Sequence, residues 1–213
     1  MRLHIVRHGQ THWNVQRRIQ GQLDSELDEQ GIAQAIERGK DFKGMPLAAA
    51  YCSSSVRTRQ TIDKLLDGQT SHVQYQDALK EVHWGIWQGR MWVDVEVENP
   101  DMVEAYHKAL AHFHVDGAET PLQTQQRGIE AVEAIVQTHK NAPDDANVLI
   151  VSHGAIMKKI LGHYTQIALT ELHKLPPLPN CAHCIVDVQN DERKVTHISG
   201  QLIEQTPWSA FIR

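Results

Sequence analysis

Short apolar runs alternate along this chain with longer segments in which apolar residues recur every three or four positions. The short runs predict strands at 2–7, 47–52, 73–75, 148–152, 184–188 and 195–198. The longer segments predict helices that begin after Asp28, after Ser55, at Pro121 and at Ala155. Because strands and helices alternate, the pattern predicts an α/β fold.

The predicted helix ends carry ordinary capping signals. Asp28 is a favourable N-cap, and the residues after it form an apolar face made of Ile32, Ala35, Ile36 and Phe42. The helix after the serines at 53–55 is expected to stop at Asp67-Gly68. Pro121 opens a helix that is predicted to run to Lys140, and the helix from Ala155 is predicted to end near His163.

The segment 83–120 shows neither the short apolar runs of the predicted strands nor the three-to-four-residue repeat of the predicted helices. It holds three tryptophans, an acidic run and several histidines, with a helix predicted from Pro100 to His112. The segment is therefore interpreted as a helical insertion rather than as part of the sheet.

Two predicted strands end in the same dipeptide. Arg7-His8-Gly9 follows the first strand, and Ser152-His153-Gly154 follows the run at 148–152. The carboxyl ends of strands in an α/β sheet form the edge at which ligands bind. Two imidazoles at one such edge, with Arg7 beside them, indicate a site for an anion and a nucleophile. Arg57, at the start of a helix that follows another strand, is expected to point to the same edge.

Glu81 lies in a segment rich in glycine and tryptophan, Leu79-Lys80-Glu81-Val82-His83-Trp84-Gly85-Ile86-Trp87-Gln88-Gly89. A carboxyl group in a tight, partly apolar loop is a candidate general acid. The same composition also fits a solvated loop glutamate, so the residues alone leave both interpretations open.

Composition narrows the function classes. A length of 213 residues suits a single domain, 1–213, and a net charge of −5 disfavours a general nucleic-acid binder. No apolar run approaches a membrane span, and the first residues lack a signal-peptide pattern, so a cytoplasmic protein is expected. Cys181-Ala182-His183-Cys184 resembles half a zinc site, but without a second cysteine pair these residues are interpreted as buried strand residues.

The fragments together resemble the histidine phosphatase superfamily, which includes phosphoglycerate mutases. The matching segments are Arg7-His8-Gly9-Gln10-Thr11, Asn14, Arg18-Ile19-Gln20-Gly21, Arg57-Thr58-Arg59-Gln60-Thr61, Leu79-Lys80-Glu81, Gly117-Ala118-Glu119-Thr120 and Val151-Ser152-His153-Gly154. They occur in the family's order over nearly the whole chain. The resemblance implies a three-layer sandwich in which helices flank a mostly parallel sheet, with the insertion at about 83–120.

The resemblance also implies roles for the matching residues. His8 would be the nucleophile that becomes a phosphohistidine, Glu81 the general acid and base, and Arg7, Arg57 and His153 the groups around the phosphate. Asn14, Gln20, Gly21, Arg59 and Gly154 would complete phosphate and substrate binding. A small phosphorylated metabolite is the expected partner, with no metal, no cofactor, no nucleic acid and no membrane; the oligomeric state is left open.

Phosphatase and mutase share this chemistry, and three features favour a phosphatase. The chain lacks the longer insertion and tail expected of glycolytic mutases, Gln20 stands where those enzymes usually have Thr, and Pro179-Asn180-Cys181 resembles the phosphatase branch. The 2,3-bisphosphoglycerate-dependent phosphoglycerate mutase is the alternative, and a catalytically silent binding module of the same fold is a more remote one. A metal-dependent hydrolase is disfavoured, because the chain lacks the Asp and His spacing that a metal site needs.

The insertion is expected to set the substrate. His83, Trp84, Arg90 and Trp92 are the candidates for the substrate side of the pocket, together with Tyr106. The competing interpretation is that the tryptophans pack the insertion onto the sheet, and it is favoured for Trp87.

Overall fold

A mixed seven-stranded sheet organises residues 1–212, the part of the chain that the computed structural model describes. The strands are β1 (Arg2–Arg7), β2 (Leu47–Ser53), β3 (Val73–Gln76), β4 (Asn147–Ser152), β5 (His183–Gln189), β6 (Glu192–Ile198) and β7 (Gln201–Leu202). Their order across the sheet is β3-β2-β4-β1-β5-β6-β7. The first four in that order are parallel neighbours, and β5, β6 and β7 continue the sheet in antiparallel pairs. The expected α/β architecture is confirmed.

Seven α-helices surround the sheet in the described residues: α1 (His12–Val15), α2 (Glu29–Gly39), α3 (Val56–Leu65), α4 (Trp92–Glu98), α5 (Pro100–Lys108), α6 (Pro121–Thr138) and α7 (Gly154–Tyr164). The helices predicted after Asp28, after Ser55, at Pro121 and at Ala155 fall close to their predicted bounds, whereas α1 was not predicted. Asp28 caps α2 as predicted, by accepting a hydrogen bond from the Gly31 N–H. Among residues 1–212 no helix is long and apolar enough to span a bilayer.

Both faces of the central strands are buried, which explains their nearly continuous apolar sequences. On one face, side chains such as Leu3 and Ile150 contact Ile135 of α6 and Ile156 of α7. On the other face, residues of the alternate positions, such as Val151, pack with side chains of α3. The alternation of the strands thus separates two cores and produces the three layers.

The insertion has its own core, in which aromatic side chains pack against one another. Trp84 stacks on Trp87 with ring centroids 6.1 Å apart and meets Tyr106 at 4.5 Å. Trp87 is buried, as expected of a packing residue. The helix predicted from Pro100 to His112 ends at Lys108 and resumes as a 3-10 turn at Leu110–His112, while α4 was not predicted.

One predicted apolar face is only partly correct. Ala35 and Phe42 are buried, but Ile32 and Ile36 remain 38% and 52% exposed. Phe42 lies in a 3-10 turn after α2, which moves it off the helical periodicity assumed for that face. The face that α2 buries is therefore narrower than its sequence pattern predicts.

The cysteines are free and buried. Cys184 lies on β5, whereas Cys181 precedes that strand in a left-handed conformation with φ of 52°. Within residues 1–212, no cluster of three or more His, Cys, Asp or Glu side chains is arranged to hold a metal ion.

Two glycines allow the loop after β1 to lie directly on α2. A methyl group on Gly9 would stand 2.5 Å from the Gly31 carbonyl oxygen, and one on Gly31 would stand 2.0 Å from the Gln10 carbonyl oxygen. Both obstacles are backbone atoms, so neither clash can be relieved by a rotamer change. The first turn of α2 thereby fixes the backbone next to His8.

We expect the substitution Gly31→Ala to destabilise the fold. Helix propensity alone would favour alanine by about 1 kcal/mol, but the clash with Gln10 forces the loop and the helix apart. Thermal unfolding should therefore show a lower Tm than that of the unsubstituted protein. Gln30→Ala, at the exposed neighbouring position, is the matched control and should change the free energy of unfolding by no more than about 0.5 kcal/mol. An increase in Tm for Gly31→Ala would contradict the close approach.

Candidate active site

The register of two parallel strands brings the two His-Gly segments together. Arg7 of β1 pairs with Ser152 of β4, so His8 and His153 leave the sheet side by side. Their ring centroids are 5.3 Å apart, and both side chains are buried. The prediction that the two histidines share one sheet edge is correct.

The protonation of His8 follows from its neighbour. Its Nδ1 lies 2.7 Å from the Gly9 carbonyl oxygen, and because a carbonyl only accepts, we assign the ring proton to Nδ1. Nε2 then carries a lone pair. Burial, followed by the charges of Arg57 and Arg7, holds the pKa of His8 well below its usual value, so the ring is neutral. A neutral imidazole with Nε2 unprotonated is the nucleophilic form.

Arg57 is fully buried and connects three parts of the site. Its Nε donates to Nδ1 of His153 at 3.2 Å, and its NH2 group donates to the Gly21 carbonyl at 2.6 Å. Its NH1 group donates to the Leu23 carbonyl at 2.8 Å and forms an ion pair with Asp24, an exposed carboxylate, at 3.1 Å. The guanidinium is thus held rigidly beside the histidines.

His153 is oriented from both sides. Because Nδ1 accepts from Arg57, we assign its proton to Nε2, which lies 2.8 Å from the Ser53 hydroxyl at the end of β2. Burial lowers the pKa of His153 well below the usual value, and the Arg57 and His8 charges act in the same direction. Ser53 was not predicted as a functional residue, since the serines at 53–55 were interpreted as the start of the following helix.

Arg7 presents a buried donor to the same space. One of its terminal amino groups donates to the Leu178 carbonyl, while Nε is buried with no hydrogen-bond partner among residues 1–212. Gly154 makes room for this guanidinium, since a methyl group there would lie 3.0 Å from Nε of Arg7. An unsatisfied, buried N–H on a permanently charged group is suited to an anionic ligand.

Glu81 is fastened to the start of α7. Its Oε2 accepts from the Ala155 N–H and its Oε1 from the Ile156 N–H, each at 3.0 Å. Oε1 also accepts from the Val82 N–H at 3.0 Å. Because His153 is the N-cap of α7, this capping places the carboxylate and the second histidine on one rigid unit.

A third arginine, Arg127, contacts the loop that carries Glu81, and the sequence analysis did not predict it. Arg127 of α6 forms two hydrogen bonds to Glu119, at 2.7 and 2.8 Å. Its other N–H groups donate to the carbonyls of Ala78, Lys80 and Glu81. The Glu119 motif was noted in the sequence, but nothing in the helical pattern of α6 distinguishes Arg127 from a surface residue.

The amides near the site differ in how they are held. Asn14 closes a capping box at the start of α1, and its Oδ1 also accepts from Asn180 at 3.2 Å. Asn180 additionally donates to the His8 carbonyl, at 3.2 Å. Gln20 is buried with its Oε1 unpartnered in residues 1–212. Gly21 contributes its carbonyl to Arg57 and adopts a φ of 55°, which glycine accommodates without strain.

Four other predicted residues lie outside the histidine cluster. Arg59 is exposed, with its guanidinium 4.2 Å from the Tyr75 ring centroid, because a position two residues after Arg57 lies on another face of α3. Arg90 pairs with Glu98 at 2.6 Å. Two further specificity candidates, Trp84 and Trp92, line a cavity beside α7.

His83, the last specificity candidate, is tied into the loop that carries Glu81. Its backbone N–H donates to Glu119 at 2.9 Å, and its Nδ1 accepts from the Gly85 N–H at 3.2 Å. It therefore contributes to the position of the loop that follows Glu81.

The chain is similar to known proteins over most of its length. A model of the histidine phosphatase superfamily (branch 1) matches residues 3–200. The metal-independent phosphoserine phosphatase of Arabidopsis thaliana is 33% identical over 171 residues, 76% of this chain and 68% of the relative. A protein named probable phosphoglycerate mutase GpmB from Erwinia tasmaniensis is 28% identical over 189 residues, 89% of this chain and 86% of that one.

A solved structure, Bacillus stearothermophilus YhfR, superposes with a TM-score of 0.84 at 32% identity and covers 94% of this chain and 97% of its own. The family match extends over both His-Gly segments and the insertion between them. The resemblance seen in the motifs is confirmed, and the chain belongs to the histidine phosphatase superfamily.

Proposed function

We propose that this protein is a phosphatase that hydrolyses small phosphomonoesters, without a metal, through a phosphohistidine on His8. The observation that carries the proposal is the neutral His8 ring, with Nδ1 bound to a carbonyl and Nε2 free to attack, close to the buried Arg57 and the partly buried Arg7. Phosphoryl transfer depends mainly on positioning and on stabilisation of the charge on the transferred group. Arg7 and Arg57 supply that positive charge.

The reaction takes two steps. Nε2 of His8 attacks phosphorus, the bond to the leaving oxygen breaks, and Glu81 in its acid form gives that oxygen a proton. Glu81 then accepts a proton from water as the water attacks the phosphohistidine, which releases phosphate and restores His8. In the same proposal His153, Asn14, Gln20 and the Gly154 backbone complete the phosphate pocket, while Gly21 holds Arg57.

Two residues favour hydrolysis over mutase activity. Gln20 stands where the glycolytic mutases usually have Thr, and Asn180, which donates a hydrogen bond to the His8 carbonyl, belongs to the segment that resembles the phosphatase branch. The similarity to a phosphoserine phosphatase supports the same choice. The similarity to a protein named probable phosphoglycerate mutase makes isomerisation of phosphoglycerates the second candidate. A silent binding module is disfavoured, because one connected site contains all four residues expected of an active enzyme: His8, Arg57, Glu81 and His153.

The first test is phosphate release from a panel of phosphomonoesters that includes 3-phosphoglycerate and an aryl phosphate, in the presence of a chelator. We expect the unsubstituted protein to release phosphate and to carry phosphate on a histidine during turnover. His8→Ala should lower the rate at least about a thousandfold, because no alternative nucleophile remains. His12→Ala, at an exposed histidine nearby, is the matched control.

Two results would overturn this assignment. Retained hydrolysis in His8→Ala would refute the nucleophile. Conversion of 3-phosphoglycerate to 2-phosphoglycerate in the presence of 2,3-bisphosphoglycerate, with no phosphate released from any compound, would establish the mutase instead.

The general-acid role predicts a dependence on the leaving group. Glu81→Gln should lower kcat/KM for an alkyl phosphate by about 10²–10⁴-fold, since an alkoxide leaves poorly without a proton. The loss for an activated aryl phosphate should be far smaller, because a phenolate needs no proton. Glu26→Gln, an exposed carboxylate in the same half of the chain, should affect neither substrate. Equal losses on both substrates would argue against proton transfer by Glu81.

The depressed histidine pKa values give a separate prediction for the free protein. His8 and His153 should stay neutral as the pH is lowered through about 6.5, where an unperturbed histidine gains its proton. Ring C–H signals in an NMR titration, assigned with His8→Asn and His153→Asn, should therefore not move in that interval. A His8 signal that titrates at the ordinary value would contradict the neutral nucleophile.

A further inference from the structure

A small cavity lies beside Glu81, on the side formed by the insertion. It has a volume of about 200 Å³, and its walls include Trp84, Trp92 and Tyr106. Since a water molecule takes about 30 Å³ of liquid, the space suits a fragment of a few non-hydrogen atoms. Aromatic walls of this kind can enclose the carbon skeleton of a small ligand.

Ala155 links the cavity to the candidate active site. It lines the cavity, and its N–H donates to Oε2 of Glu81 at 3.0 Å, whereas Glu81 itself is not among the lining residues. Glu81 is the group proposed to protonate the leaving oxygen. The cavity therefore lies one residue away from the proposed proton donor.

Lys159 of α7 provides a buried cation in the wall. It is only 5% exposed, and its Nζ donates to the Tyr106 hydroxyl at 2.6 Å. Within residues 1–212 it forms no ion pair with a carboxylate, and since the Tyr106 hydroxyl is neutral, none of its N–H groups has a charged acceptor. Burial lowers its pKa to about 8, which leaves the ammonium group protonated at neutral pH.

The rest of the wall adds positive charge and an unsatisfied nitrogen. Lys158 lines the same cavity and donates to the Leu175 carbonyl at 2.6 Å. His173 lines it as well, and its Nδ1 is buried with no hydrogen-bond partner in the described chain. No aspartate or glutamate of residues 1–212 is among the lining side chains. An unpaired buried cation is costly, and an anionic ligand would offset that cost.

We propose that this cavity binds the leaving group of the substrate and that Lys159 recognises a carboxylate on it. The inference rests on the proposed phosphatase function and names its substrate class: phosphate esters of small hydroxy acids. The phosphate would lie against Arg7, Arg57 and the histidines, and the carboxylate would lie beyond Glu81 against Lys159. A neutral alcohol of the same size would leave the lysine unpaired.

A matched pair of substrates isolates the carboxylate. 3-Phosphoglycerate and glycerol 3-phosphate have the same carbon skeleton, and one carries a carboxylate where the other carries a hydroxymethyl group. Lys159→Met keeps most of the side-chain volume and removes the charge. We expect it to lower kcat/KM for 3-phosphoglycerate about 10- to 100-fold, the range for a charged hydrogen bond, and that for glycerol 3-phosphate by less than about threefold.

Lys64→Met, at a partly exposed lysine in another part of the fold, is the control and should change neither value. Equal losses on both substrates in Lys159→Met would assign the lysine a purely structural role and overturn the proposal. An unchanged preference for 3-phosphoglycerate would overturn it as well.

A binding measurement does not depend on turnover or on the folding of the lysine variant. His8→Ala keeps Lys159, and by calorimetry it should bind 3-phosphoglycerate at least about tenfold more tightly than glycerol 3-phosphate. Equal affinities would refute the carboxylate subsite. If instead the unsubstituted protein hydrolyses no phosphate ester but His8→Ala shows this preference, the proposed hydrolysis fails while the subsite stands.

Discussion

The parallel register of β1 and β4 is the constraint on which the candidate site depends. Pairing of Arg7 with Ser152 makes both strands end at the same level, so that the following histidines emerge together. Side chains alternate between the two faces of a sheet, so a shift of one residue would invert every side chain of β1. Leu3 and Ile5 would then exchange places with His4 and Val6, which the two separate cores do not allow. Packing of the sheet therefore fixes the distance between His8 and His153.

Given that register, the site is assembled by charge and by satisfied backbone groups. Burial lowers the pKa of both histidines, and the charges of the buried Arg57 and the partly buried Arg7 act in the same direction, which keeps both rings neutral. The chain accepts this concentration of positive charge because Arg57 is bonded to carbonyls and to Asp24. Arg7 keeps a buried N–H unsatisfied. Donors fixed before the ligand arrives need little reorganisation during transfer, which is the main source of electrostatic catalysis.

Local signals sufficed to predict most of the fold and the central part of the site. Strands buried on both faces, the Asp28 cap and the paired His-Gly ends all carry their information within a few residues. Helix α4 was not predicted, because Val93, Val95 and Val97 stand two residues apart and do not form one helical face. Only Val95 of the three is buried.

Contacts between segments that are distant in the sequence also limited what could be predicted. Nothing in the sequence distinguishes Arg127 from other polar residues of the amphipathic helix α6. It holds the loop at 78–81 only because the fold places α6 against that loop, where Arg127 donates to backbone carbonyls. Arg59 shares a motif with Arg57, yet the geometry of a helix turns it to Tyr75. The role of Arg127 is therefore determined by tertiary packing, which no spacing along the chain records, whereas the direction of Arg59 follows from the helical period of α3.

Helix α7 links the two halves of the proposed reaction. Its N-cap is His153, its first N–H groups hold Glu81, and its second turn carries Lys158 and Lys159 to the cavity wall. A shift of this helix would move the phosphate pocket, the proton donor and the leaving-group cavity together. Packing against α6 makes such a shift costly, because Gly128 leaves no space between the helices: a methyl group there would lie 2.9 Å from Ile156. In the proposed reaction, selectivity for the leaving group and protonation of its oxygen would thus depend on one rigid element, so a substrate that fits the cavity would also be aligned for the reaction.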